Sequence, residues 1–187
     1  LRDAALAPKP QKDMPRLGGC DCLPEPGTLC AVVIAPDGTA AVAWSGGVCA
    51  VTPLERGGSL QALLGPETPK ICHDLKAMLH ILEEQELPGA NFTFDTALAA
   101  YDLNPGQGDY SVNRLAMQCL GREAQDPEAQ AEAVWQLAGL LRPMLEEAGM
   151  KRLYRSMELP LCPVLFDMER TGVMVDRDTL TEFGTML

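Results

Sequence analysis

The order of hydrophobic patterns along the chain restricts the fold more than any other feature of the sequence. Three short apolar runs come first, at residues 29–34, 40–44 and 48–52. Asp37 and Gly38, between the first two runs, are typical of a hairpin turn. Strand-like and helix-like segments then alternate to about residue 120, and helical patterns follow. This order predicts an α/β fold with a mixed sheet flanked by helices.

The apolar spacing after residue 58 predicts the individual elements. Strands are expected at residues 70–72 and 91–94, and helices at 59–64, 75–85, 96–101, 111–120, from 128, at 151–171 and after 176. Asp74, Asp95 and Asp176 each precede a predicted helix, where a carboxylate caps the first backbone amides. We expect Trp135 and either Phe92 or Phe94 to be the large aromatic residues of the core.

Composition restricts the partners and the environment. The 187 residues include 26 Asp and Glu against 15 Lys and Arg, and residues 66–150 hold fourteen of these acids and only five of the bases. Tight nucleic-acid binding requires clustered cations, so binding of DNA by this chain itself is expected to be weak or absent. No apolar run approaches a membrane span of about 20 residues, and no membrane partner is expected. Seven cysteines, mostly in apolar runs, predict reduced thiols in a cytoplasmic protein.

The first 28 residues are predicted to form a linker or an extended arm. Five prolines and three glycines interrupt every strand or helix pattern there. The first residue is Leu1, so we expect the chain to be a fragment of a longer protein.

Metal-binding motifs are weak. Cys20 and Cys22 have the wrong spacing for a zinc site, and no matching second pair follows. His73 and His80 are expected near one face of the same helix, with Cys72 just before the first, but surface or partly buried side chains are the favoured interpretation. No metal or cofactor site is therefore predicted for this chain.

Paired carboxylates are the remaining catalytic option, because two-metal nucleases use several Asp and Glu ligands. Asp95 follows a predicted strand, but Ala97 occupies the position of a second carboxylate. Asp167 and Glu169 have the required spacing, yet on a helix their side chains diverge. A helix cap and a solvated face are the favoured interpretations.

Three segments resemble bacterial DNA polymerase I, family A. Residues 70–82 (KICHDLKAMLHIL) are similar to its second exonuclease motif, and residues 94–105 (FDTALAAYDLNP) to the segment that follows. Residues 153–176 are similar to the helix that joins the exonuclease-like domain to the polymerase thumb. The resemblance implies a ribonuclease H-like fold of the DnaQ-like 3′–5′ exonuclease type. It implies an exonuclease-like domain at 29–150, and a connecting helix with the start of the thumb at 151–187.

The resemblance also implies that the exonuclease site has degenerated. The metal-binding Asp of the second motif falls on Met78, and the Tyr and Asp of the third motif fall on Asp126 and Gln130. The first motif, expected on a strand before the hairpin, has no counterpart in residues 1–28. The expected role is therefore a catalytically inactive scaffold for the polymerase domain of the same chain. Mg²⁺ is expected only in that polymerase domain, and DNA is expected to be contacted through the parent enzyme.

Two alternatives stay open at this stage. One is an active nuclease with non-standard ligands drawn from His73, Asp74 and Asp126. The other is a protein-interaction module whose acidic surface, between Glu83 and Asp109, binds a basic partner.

Overall fold

The described strands form one six-stranded mixed sheet. The structure is a computed structural model that describes residues 12–18, 22–35, 37–51 and 58–186. The strands are β1 (Arg16–Gly18), β2 (Cys30–Ile34), β3 (Ala40–Trp44), β4 (Gly47–Val51), β5 (Lys70–Cys72) and β6 (Phe92–Asp95). Their order across the sheet is β1-β4-β3-β2-β5-β6. β2, β3 and β4 form an antiparallel meander, and β2, β5 and β6 run parallel.

The predicted hairpin between β2 and β3 is confirmed. The Asp37 carboxylate accepts a hydrogen bond from the Thr39 amide at 2.8 Å, and Gly38 has a φ of 86°. A positive φ is the backbone conformation that glycine adopts without steric cost. β4, which corresponds to the apolar run predicted at 48–52, ends at Val51, and Thr52 lies outside the described residues.

The edge strand β1 corrects the linker prediction for part of residues 1–28. It pairs in parallel with β4, and the Pro15 carbonyl accepts a hydrogen bond from the Val48 amide at 2.9 Å. Arg16 also forms ion pairs with Asp126 and Glu128. The free edge of β4 offers unpaired backbone groups, so three residues between proline- and glycine-rich segments are enough to form a strand.

Helices cover both faces of the sheet. They are α1 (Gly58–Leu64), α2 (Leu75–Glu84), α3 (Thr96–Leu103), α4 (Val112–Leu120) and α5 (Pro127–Glu147). Alternate β2 side chains face opposite layers: Cys30 and Val32 pack with α1 and α2, and Ala31 and Val33 pack with α3, α4 and α5. The α/β prediction is therefore confirmed.

The chain continues as a helical arm. It consists of α6 (Lys151–Leu153), a π-helix (Tyr154–Glu158), α7 (Leu159–Thr171) and α8 (Arg177–Met186). The predicted helix at 151–171 is thus helical throughout, with one π segment. Gly172 ends it at a φ of 69°, and Asp176 caps α8 by accepting from the Asp178 and Thr179 amides.

The aromatic core differs in part from the prediction. Phe94 and Tyr154 are buried, whereas Trp135 is only partly buried at the edge of the core. Trp135 lies on α5 outside its buried face, which is formed mainly by small and aliphatic residues such as Ala131, Val134 and Leu137. The described cysteines are unpaired, and five of the six are buried, as expected for reduced thiols. None of the described helices combines the length and apolar character needed to cross a membrane.

Candidate functional site

The carboxyl ends of β5 and β6 meet at a buried polar junction. The Asp95 carboxylate accepts four backbone hydrogen bonds at 2.7–3.3 Å. The donors are the amides of Asp74, Leu75, Ala97 and Leu98. The first two belong to the start of α2 and the last two to the first turn of α3, so one carboxylate holds two helix N-termini together. The helix cap predicted for Asp95 is confirmed, and it serves a second helix as well.

His73 completes this junction. Its Nδ1 lies 2.8 Å from the Thr96 hydroxyl, which itself donates to the Cys72 carbonyl at 3.3 Å. The His73 ring and the Thr96 hydroxyl thus share a hydrogen bond at the junction. Burial lowers the pKa of His73 and raises the pKa of Asp95. Both shifts disfavour charge at the junction.

The prediction that His73 and His80 share one helix is wrong. His73 lies before α2, because Asp74 is the N-cap with a φ of 55° and its carboxylate accepts from the Ala77 amide. His80 lies on the helix and contacts Glu169 at 2.9 Å. Burial raises the pKa of the Cys72 thiol, which disfavours a reactive thiolate.

Met78 is a core residue. Only 5% of its surface is exposed, and it belongs to the same buried cluster as Leu75, Leu82, Cys72 and Cys162. Leu75, Met78 and Leu82 thus form one buried apolar stripe of α2, at the helical spacing that predicted this helix. A thioether in such surroundings is a poor ligand for a hard cation such as Mg²⁺.

Asp126 and Gln130 lie at the start of α5, on the other face of the sheet from Met78. Asp126 caps α5 through the Ala129 amide, and this hydrogen bond together with Arg16 lowers the pKa of its carboxyl. The side-chain amide of Gln130 donates a hydrogen bond to the backbone carbonyl of Gln125 at 3.5 Å. The three positions that the resemblance assigns to the exonuclease site are therefore not brought together.

The other carboxylates considered from the sequence have surface roles. Glu169 on α7 pairs with Lys76 at 2.6 Å and with His80, and Asp167 lies 3.6 Å from Arg170. The interpretation of a solvated helix face is confirmed. Among residues 12–18, 22–35, 37–51 and 58–186, no group of three or more His, Cys, Asp and Glu side chains is arranged to hold a metal ion.

Comparison with known proteins bears on this arrangement. No family model matches the chain. DNA polymerase I of Mycobacterium leprae is 33% identical over 144 residues, and that of Caldicellulosiruptor bescii is 30% identical over 129 residues. These matches cover 64% and 66% of the chain, but only 16% and 15% of the relatives, so the chain spans about a sixth of their length.

Comparison with solved structures leads to the same group of proteins. The POL domain of Pol1 from M. smegmatis, in complex with DNA primer-template and dNTP, superposes with a TM-score of 0.70 at 29% identity. This match covers 89% of the chain and 32% of that structure. Brucella melitensis NrnC with bound Mg²⁺ superposes with a TM-score of 0.66 at 13% identity, over 84% of the chain and 92% of NrnC.

The NrnC likeness, at this identity, concerns the fold alone. With the six-stranded mixed sheet and its flanking helices, it defines a mixed α/β protein that shares the fold of NrnC. The sequence relatives and the M. smegmatis structure specify it further: the chain corresponds to a segment of DNA polymerase I.

Proposed function

We propose that this chain is a vestigial, catalytically inactive 3′–5′ exonuclease-like segment that serves as a structural scaffold for the polymerase domain of a DNA polymerase I. The parent would act in DNA replication and repair, as a DNA-directed nucleotidyltransferase in the cytoplasm. In this proposal residues 29–150 are the exonuclease-like domain, and residues 151–187 are the connecting helix and the start of the thumb. Mg²⁺ belongs to the polymerase domain.

The observation that carries the proposal is the burial of Met78. The second-motif resemblance assigns a metal-binding Asp to this position, and the side chain instead packs with Leu75 and Leu82. Mg²⁺ requires oxygen ligands, which a thioether cannot replace. Loss of one ligand from a two-metal site removes much of its charge stabilisation.

The carboxylates and histidine of the non-standard alternative have other roles. Asp74 and Asp126 each accept hydrogen bonds from helix N-terminal amides, and they begin helices on opposite faces of the sheet. His73 Nδ1 is hydrogen-bonded with the Thr96 hydroxyl. A metal bound between them would have to displace these contacts.

A scaffold role is supported by the way the helical arm lies on the exonuclease-like unit. α7 packs along α2, with ion pairs from Glu169 to Lys76 and from Arg170 to Glu83. The other side of α7 is apolar and exposed, with Leu161, Val164 and Met168 between 45% and 63% accessible. This face would receive the polymerase domain.

The experiment is a nuclease assay with a 5′-labelled single-stranded DNA, in Mg²⁺ and separately in Mn²⁺. We expect no shortening above the buffer control. Calorimetric titration with Mn²⁺ complements it, and saturable binding tighter than millimolar would favour the non-standard nuclease.

A further inference from the structure

A cavity of about 300 Å³ lies where the end of α5 meets the π-helix. Its walls include Phe94, Arg142, Glu146, Lys151 and Arg155. We call it the Arg142 cavity. A groove that shares Glu146, Lys151 and Arg155 adjoins it and adds Arg152 and Ser156. The cavity and the groove contain none of Met78, Asp126 and Gln130, and the scaffold proposal gives them no role.

The charge of this cavity is opposite to that of the chain. Three cations, Arg142, Lys151 and Arg155, face one carboxylate, Glu146, and that carboxylate is already paired with Lys151. The two arginine side chains have no ion pair or hydrogen bond with any residue that the structure describes. In a protein of net charge −11, a cavity with an excess of cations favours an anionic ligand.

Arg142 is the more constrained of the two. Its guanidinium carbon lies 4.8 Å from the centre of the Phe94 ring, and its Nε is buried without a hydrogen-bond acceptor. Burial lowers the pKa of Arg142, and nearby Arg155 lowers it further. A like charge beside a partly buried guanidinium is unfavourable, and an anion between the two arginines would relieve this repulsion.

We propose that the Arg142 cavity binds the phosphate group of a small phosphate compound. Guanidinium groups match the oxygens of a phosphate with paired hydrogen bonds, and a phosphate carries close to two negative charges at neutral pH. The basic cluster is small, with Arg142, Lys151, Arg152 and Arg155 as its members, and residues 66–150 carry nine more acids than bases. An extended polynucleotide needs a longer basic track, so the ligand is compact, such as free phosphate, pyrophosphate or a nucleotide phosphate.

Calorimetric titration of the intact chain with pyrophosphate and with inorganic phosphate tests this. We expect saturable binding of at least one of them, weakened about tenfold or more by Arg155→Gln, as for loss of a charge-assisted hydrogen bond. Arg155 is exposed, so this change leaves the fold intact. Arg142→Gln should weaken binding similarly, with thermal unfolding as the check on its fold. Arg114→Gln, an exposed arginine outside the cavity and without an ion pair, is the matched control and should change the affinity less than about twofold.

Three results would overturn the proposal. The first is the absence of saturable heat with either anion up to millimolar concentration. The second is equal weakening by Arg114→Gln, which would indicate non-specific attraction. The third is tighter binding of a single-stranded oligonucleotide without terminal phosphates than of either small anion, which would indicate a polynucleotide surface. The nuclease assay is independent of all three, so failure of this site leaves the scaffold proposal standing.

Discussion

The hydroxyl of Tyr154 bonds to both backbone groups of Asp95: it accepts from the amide at 2.6 Å and donates to the carbonyl at 3.1 Å. Its ring packs against Phe94 with the centroids 5.1 Å apart. Tyr154 lies in the segment assigned to the polymerase side of the chain, and it is buried in the core of the α/β unit. The helical arm is thus anchored at the junction that also carries His73.

Tyr154→Phe should destabilise the protein by about 1–3 kcal/mol, because the buried Asp95 amide loses its acceptor. Chemical denaturation followed by circular dichroism measures the change. Tyr101→Phe is the control, since that ring is 47% exposed, and its effect should stay within about 0.5 kcal/mol. Equal effects of the two variants would show that the Tyr154 hydroxyl does not anchor the arm.

Substitutions at Met78 test whether its side chain contributes to the packing of the core. Met78→Ala should cost about 2–5 kcal/mol by leaving a cavity among Leu75, Leu82 and Cys162. Met78→Leu keeps the volume and should cost less than about 1.5 kcal/mol. Urea titrations of both variants give the values. A neutral Met78→Ala would mean that the side chain is not packed in the core.

The apolar face of α2 can be tested with a buried charge. Leu82 is 1% exposed, so Leu82→Asp places an unpaired carboxylate in the core and should abolish cooperative thermal unfolding. Ala77→Asp, on the exposed side of the same helix, introduces the same group and should unfold cooperatively. Cooperative unfolding of Leu82→Asp near the wild-type temperature would show that the face is assigned wrongly.

Asp102 should make stability depend on pH. Burial, and to a lesser extent Glu158, raises the pKa of this carboxyl to about 6 from 3.8, and its Oδ2 is buried without a donor. Between these values the folded protein holds a proton that the unfolded chain has released. The free energy of unfolding therefore falls as pH rises from about 4 to about 6. Above that range the loss of stability caused by the buried Asp102 carboxylate has reached its full value.

Asp102→Asn should accordingly be more stable than the wild type at pH 7, by about 1 kcal/mol after allowance for solvent screening. The difference should shrink as pH falls to about 4, the ordinary value for this group. Denaturation at a series of pH values measures it, with Glu84→Gln, an exposed carboxylate on α2, as the control. If Asp102→Asn were less stable than the wild type at every pH, the raised pKa of Asp102 would be contradicted.

Local signals predicted much of the fold. Asp37 and Gly38 specify the hairpin through the conformation of four residues, and Asp74 and Asp95 specify helix starts through nearby amides. Leu82 and Met78 follow from helical periodicity. Each of these effects acts within a few residues, and the sequence displays it directly.

What the sequence did not predict depends on distant partners. β1 forms because the β4 edge is free and because Arg16 meets Asp126 and Glu128 at the start of α5. The second use of Asp95, as acceptor for Asp74 and Leu75 amides, requires β5 and β6 to lie side by side. Likewise, the basic residues of the Arg142 cavity come together only through the turn after α5. Arg142 lies on α5, Lys151 on α6 and Arg155 on the π-helix. Periodicity carries no information on such pairings.

Degradation of single-stranded DNA tests most directly whether the exonuclease-like segment is catalytically silent. A 5′-labelled oligonucleotide is incubated with the purified chain in Mg²⁺ and in Mn²⁺, beside Asp74→Ala and the control variant Glu84→Gln. No shortening above buffer is expected for any of the proteins. Shortening that follows the protein through successive purification steps, disappears in Asp74→Ala and persists in Glu84→Gln would contradict it.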